Sequence, residues 1–184
     1  MIPDVPCALA QPYDAPVILE IDPVTHTMDT FGAFGAEQCK WYGGVLAPNG
    51  KIYTIPYASQ YVMEISPENK TATIFATVGT GFGKWSGGVL AHNGKIYGIP
   101  ALASNILEID VNSRTVIAYG HGILPGGALL QDKWNGGVLA PNGARNPEPP
   151  SRVAQQCFTS VVLYLLRCAS AGGRYLLHRA LPPP

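Results

Sequence analysis

The stretch KWSGGVLAHNGKIYGIP, Lys84 to Pro100, nearly copies KWYGGVLAPNGKIYTIP, Lys40 to Pro56, and the two stand 44 positions apart. Repetition at a fixed period constrains a fold more than any local propensity, because each unit must bury its apolar surface against a copy of itself. Ile65 and Ile109 keep the same interval, and PYDAPVILEIDPVTHT (Pro12 to Thr27) lies on PYASQYVMEISPENKT (Pro56 to Thr71) without a gap. A third copy begins at Lys133 as KWNGGVLAPNG and continues as ARNPEPP in place of KIYGIP. Between Thr115 and Lys133 the register slips by five residues inside GHGILPGGALL, which reads as a longer surface loop.

Four short strands can be read in each unit. GGVLA runs into a turn at Asn49-Gly50, Asn93-Gly94 or Asn142-Gly143. Asn-Gly is a strong hairpin signal, expected here with both turn residues at positive φ. KIYTIP or KIYGIP returns, with its proline at the strand end. VMEI or ILEI follows, then a polar turn, then a Thr- and aromatic-rich strand (TATIF, TVIAY, TMDTF) that suits a sheet edge. Four antiparallel strands in about 44 residues match one β-propeller blade. The expectation is an all-β fold of antiparallel four-stranded blades, about three in number and incomplete. The pairs Gly43-Gly44, Gly87-Gly88 and Gly136-Gly137 would begin the innermost strand, where sheets crowd. Trp41, Trp85 and Trp134 would wedge between successive blades.

The hairpin APNGKIY (Ala47 to Tyr53) and the pair of strands in VILEIDPVTHT (Val17 to Thr27) resemble the repeats of YVTN- and NHL-type β-propellers. The double glycine resembles kelch repeats. The resemblance covers roughly Pro12 to Gly143 and implies a blade, without implying any one family's function. Asn49, Asn93 and Asn142 stand where such turns usually carry Asp, and KWxGG is not a YVTN signature.

Residues 1–143 are therefore read as repeats, in units near 1–39, 40–83 and 84–132 with a partial unit at 133–143. Residues 144–184 form a non-repeating Pro- and Arg-rich tail. All six lysines lie at or before Lys133, whereas five of six arginines follow it; the body is net −4 and the tail +4. One helix fits near 151–170, with Ser151 as N-cap and Gly172-Gly173 as stop. The competing expectation is that the tail comes from another reading frame or a retained intron, and that the chain is a truncated product without independent function.

Zero net charge argues against nucleic acid as partner. The apolar run CFTSVVLYLL is too short to span a membrane. Cys7, Cys39, Cys157 and Cys168 have neither C-x-x-C spacing nor a His in ligand register, so thiols are expected rather than zinc or a disulfide framework. No secretory leader is read, which favours the cytoplasm. GTGFGK (Gly79 to Lys84) is one residue short of a phosphate loop, with Trp85 where Ser or Thr would hold magnesium. His26, His92, His121 and His178 occupy unrelated repeat positions and read as surface residues. Glu20, Glu64 and Glu108 recur in every unit, which suits a structural role. No catalytic residue, cofactor or metal site is expected. The function expected is a non-enzymatic interaction module, meeting a protein partner or its own copy through bare blade faces. A lactonase- or lyase-like propeller enzyme remains the alternative with chemistry.

Overall fold

A computed structural model describes residues 7–121 and 132–140. The chain divides into two compact units, residues 1–139 and 140–184, and apart from Ala140 the described residues belong to the first. The expected helix near 151–170, Asn142, Gly143, Cys157, Cys168 and His178 lie outside the described residues.

Eleven strands form three antiparallel meanders among the described residues. The second sheet runs β4 (Trp41–Leu46), β5 (Ile52–Pro56), β6 (Tyr61–Ser66), β7 (Thr71–Thr77), each paired with the next. The third repeats it as β8 (Trp85–Leu90), β9 (Ile96–Pro100), β10 (Ile106–Asp110), β11 (Thr115–Tyr119). The first sheet has three strands, β1 (Ala8–Ala10), β2 (Ile18–Asp22) and β3 (Thr27–Phe31). β1 holds the place of β5, since Leu9 pairs with Glu20 as Tyr53 pairs with Glu64. The repeat thus reaches back to CALAQP, Cys7 to Pro12, which shares only its proline with KIYTIP.

The third KWxGG copy differs from expectation. Residues 132–140 carry no strand, although Gly136 N donates to Ser86 O at 2.8 Å and Lys133 N to Ala101 O at 3.0 Å. A ladder needs a returning partner. The sequence that follows, ARNPEPP, is rich in proline, which has no N–H to give.

The Asn-Gly turns also differ. Gly50 N donates to Ala47 O at 3.0 Å, and in this turn only Gly50, at φ 77°, is left-handed. Asn49 instead uses its side chain: Oδ1 accepts from Lys51 N at 3.1 Å, and Nδ2 donates to the Tyr53 hydroxyl at 2.9 Å. This is a longer loop with Pro48 at its first corner and glycine as the bulge, and Asn93-Gly94 repeats it around His92.

The cores lie between sheets. One joins Ile18, Phe31 and Phe34 of the first unit to Trp41, Met63 and Ile65 of the second. The other joins Tyr53, Ile55 and Val62 to Trp85, Leu107 and Ile109. A four-stranded sheet is too thin to shelter its own side chains, so burial comes from the neighbour. The outer strands β3 and β11 are mostly exposed, in keeping with their polar sequence.

Candidate functional site

The KWxGG segments line the inner edge where sheets meet. Gly43, Gly87 and Gly136 all have positive φ, at 86°, 71° and 70°. A Cβ on Gly43 would stand 3.1 Å from the Gly87 Cα, and one on Gly87 would stand 2.9 Å from the Gly136 Cα. Backbone therefore touches backbone from sheet to sheet, and the ladder is bulged between Trp41 and Gly44 and between Trp85 and Gly88. A Cβ on Gly88 would meet Ile55 Cδ1 at 2.7 Å, and one on Gly137 would meet Ile99 Cδ1 at 3.0 Å. Gly44 differs: its added Cβ would meet Ile52 Cγ2 of its own sheet at 3.0 Å, and Gln11, which holds the place of Ile55, only at 3.7 Å. Trp41 and Trp85 are buried, and their indole nitrogens donate to Tyr61 O (2.7 Å) and Asn105 O (3.0 Å). Trp134 is 40% exposed.

The lysines of the motif play a part that spacing did not reveal. Lys40 and Lys84 are buried. Lys84 Nζ donates to the carbonyls of Ser59 and Gly81 at 2.8 Å and reaches those of Ala58 (3.3 Å) and Tyr57 (3.4 Å). Lys40 Nζ reaches Glu37 O at 2.6 Å and Asp14 O at 3.3 Å. Each ammonium thus ties its own sheet to the loop of the preceding unit. In GTGFGK the lysine is spent on Gly81 and its neighbours, so the loop does not present it to a phosphate.

Burial pushes the Lys84 pKa down to about 8. Between pH 8 and 10.5 the unfolded chain holds a proton there that the folded chain has released, so stability rises with pH through that window. Wild type is expected to gain roughly 1.5 kcal/mol between pH 8 and 9.5 relative to Lys84→Met, because the slope reaches its full value of about 1.4 kcal/mol per pH unit only once the folded-state lysine, half protonated at pH 8, has lost its proton. Urea midpoints of the two proteins at both pH values check this. Parallel shifts would refute it.

Carboxylates form a second ladder farther out. Glu64 accepts from Lys51 (2.6 Å), the Tyr53 hydroxyl (2.9 Å) and Arg114 of the next unit (3.1 Å). Burial works against its charge, but these donors outweigh it and hold the pKa below the usual value. Arg114 also lies 4.6 Å over the Phe75 ring. In the preceding pair of sheets Lys70 meets Glu20 at 2.5 Å and Asp29 at 3.0 Å. Glu108 holds Lys95 at 2.6 Å. The basic partners stand at one turn position, and His26, Lys70 and Arg114 all occupy the left-handed region at φ 57°, 49° and 54°. From that turn position Lys70 and Arg114 each reach a carboxylate of the previous sheet.

The one variable letter of KWxGG marks what sequence reasoning passed over. Tyr42, Ser86 and Asn135 take that place, and Ser86 Oγ lies 2.6 Å from Asn135 Oδ1. Tyr42 packs edge-on to Tyr13 (5.7 Å) and beside Tyr57 (5.8 Å), which in turn meets Phe82 at 5.2 Å. Phe82 is 56% exposed. A cleft of about 510 Å³ opens between the segment that joins β3 to β4 and the second sheet, bordered by Phe34, Gln38, Trp41, Gln60 and Thr73. His121 sits 3.2 Å from the Ser104 hydroxyl and 3.0 Å from the Asn105 amide. Among the described residues no three His, Cys, Asp or Glu side chains converge as metal ligands, and no helix is long and apolar enough to cross a membrane.

No protein-family model matches the sequence, and no curated protein matches it either. Solved structures are similar in fold. A catalytically inactive virginiamycin B lyase from Staphylococcus aureus, crystallised with quinupristin, has a TM-score of 0.54 at 15% identity, over 70% of this chain and 41% of that one. A selenomethionine form of virginiamycin B lyase from the same organism gives 0.53 at 15%, over 68% and 44%. A streptogramin B lyase gives 0.50 at 15%, over 67% and 39%. The chain spans about two fifths of the length of these lyases. On this likeness and on its own four-stranded meanders, the described part of the chain is all-β and built of β-propeller blades.

Proposed function

We propose that this chain is a non-enzymatic interaction module that meets protein, and first of all its own copy, through the end faces of its stack of sheets. The observation that carries the reading is the outer face of the first sheet. Met63 and Ile65 in the second unit, and Leu107 and Ile109 in the third, are at most 1% exposed because each faces the preceding sheet. Leu19 and Ile21 hold the same repeat positions with partial exposure, and Met28 beside them is 73% exposed. Apolar side chains patterned for a neighbour, yet open to solvent, mark an interaction surface.

Light scattering over a concentration series tests it. The expected mass exceeds the 19.5 kDa of one chain and returns to it in Leu19→Lys, which places a charge on the open face without touching either inter-sheet core. A wild type that stays at one chain's mass overturns the reading.

The aromatic group Tyr13, Tyr42, Tyr57 and Phe82 favours a second reading, a small ligand held at the inner edge by ring stacking. Quinupristin, present in the lyase structure of similar fold, is a direct probe. Saturable quenching of tyrosine emission, lost in Tyr42→Ala, supports that reading. Its absence removes the lyase-like alternative.

A further inference from the structure

Resting on the self-association just proposed, we propose that the segment 133–139 of one copy supplies the missing innermost strand of the first sheet of a second copy, so that two chains complete one another. Two halves of a blade stand unmatched among the described residues. In the second and third sheets an innermost strand, β4 or β8, pairs with the strand that follows the turn. The first sheet, among the described residues, runs only β1-β2-β3 and leaves the inner edge of β1 open. KWNGGVL, residues 133–139, carries the innermost-strand motif and has no ladder partner. An open strand edge and an unpaired strand motif of the matching repeat position are complementary in hydrogen bonding.

Register follows from the repeats. Gly44, Val45 and Leu46 pair with Thr54, Tyr53 and Ile52. By the same positions Gly137, Val138 and Leu139 would pair with Ala10, Leu9 and Ala8 of the second copy. Exposure agrees. Val45 is 9% exposed and Trp41 5%, whereas Val138 is 85% and Trp134 40% exposed, the excess that an absent neighbour leaves. Trp134 would then donate to the Val17 carbonyl, as Trp41 does to Tyr61 and Trp85 to Asn105.

Charge agrees as well. Glu20 meets Lys70 and Glu64 meets Arg114, so each glutamate takes the basic turn residue of the following unit. Glu108 has Lys95 of its own sheet, and among the described residues no following unit bonds to it. His26, in the same left-handed turn position as Lys70 and Arg114, stands on the open face of the first sheet. A second copy docked in the proposed register brings its His26 to Glu108. Among the described residues three strands, four, four and the one segment amount to twelve, the number that three four-stranded blades require.

The experiment compares the full chain with Val138→Pro and Leu19→Lys by light scattering. Val138→Pro removes a ladder donor and forces a backbone that pairing does not accept, at a residue that makes no ladder bond in its own chain. The expected result is a wild-type dimer of about twice 19.5 kDa, with both variants at one chain's mass. A Val138→Pro chain that remains dimeric while Leu19→Lys dissociates overturns strand completion and leaves face-to-face association standing. A monomeric wild type overturns both. Register is read from a mixture of Leu9→Cys and Val138→Cys chains, each also carrying Cys7→Ser, Cys157→Ser and Cys168→Ser, with Cys39 buried: a disulfide-linked dimer forms on oxidation in the mixture and in neither variant alone. No mixed disulfide from a dimeric mixture refutes the pairing.

Discussion

Replacing Gly43 with valine is expected to destabilise the protein by about 4 kcal/mol, while Gly136→Val, at the same place in the motif, changes global stability by less than about 1 kcal/mol. Two effects combine at Gly43. Its φ of 86° is a backbone state that a side chain resists by roughly 1–2 kcal/mol. Its Cβ would also stand 3.1 Å from the Gly87 Cα, a backbone atom that cannot rotate away, and such overpacking costs about 1–3 kcal/mol. Gly136 has nearly the same φ, 70°, but nothing lies within 4 Å of the added carbon. Its segment also carries no strand, so local strain can relax without opening a core. Urea denaturation of the two variants separates crowding from φ. Equal losses would show that φ alone requires the glycine, and that the contact between inner strands is incidental.

Trp85→Ala is expected to lose about 4 kcal/mol and Trp134→Ala less than about 1 kcal/mol at concentrations where the chain is a monomer. Removing a buried tryptophan leaves both lost transfer energy and a cavity, together about 3–5 kcal/mol. Trp85 is 2% exposed, packs among Tyr53, Ile55, Leu107 and Ile109, and its indole nitrogen caps the Asn105 carbonyl. Trp134, at 40% exposure, has far less to lose. Thermal melts at low concentration measure both. At concentrations that favour association the Trp134 variant should also bind its copy more weakly. A large monomer loss in Trp134→Ala would mean that this indole is already buried in its own chain.

Strand order was legible because the repeat is strict: Trp41 and Trp85, Pro56 and Pro100, Glu64 and Glu108 fall at one interval, and hydrophobic alternation between them leaves little choice of element. The first unit was legible only from Pro12 onward. Nothing in CALAQP resembles KIYTIP by residue type, yet Ala8 to Ala10 pair with β2, since a ladder is made by backbone groups that alanine supplies as well as tyrosine does. The turn at Asn49 was placed correctly with the wrong conformation, because the sequence does not distinguish a two-residue turn from a longer loop closed by Gly50. Tyr42, Ser86 and Asn135 were overlooked because a variable letter in a constant motif carries no periodic signal.

By itself, then, the sequence determined what depends on neighbours along the chain: the 44-residue unit, its four strands and its hairpins; the glycine pairs, expected to begin the inner strands, instead sit at a bulge inside β4 and β8, which start at the tryptophan two residues earlier. Only the tertiary structure decided what depends on neighbours across sheets. It set Gly43 against Gly87, buried Lys84 among carbonyls of the preceding loop, and aimed Arg114 at Glu64, fifty residues away in sequence. Those choices are made by the twist and spacing of adjacent sheets, which no single unit contains. A left-handed turn residue or a buried lysine acquires its partner only when the next blade is in place.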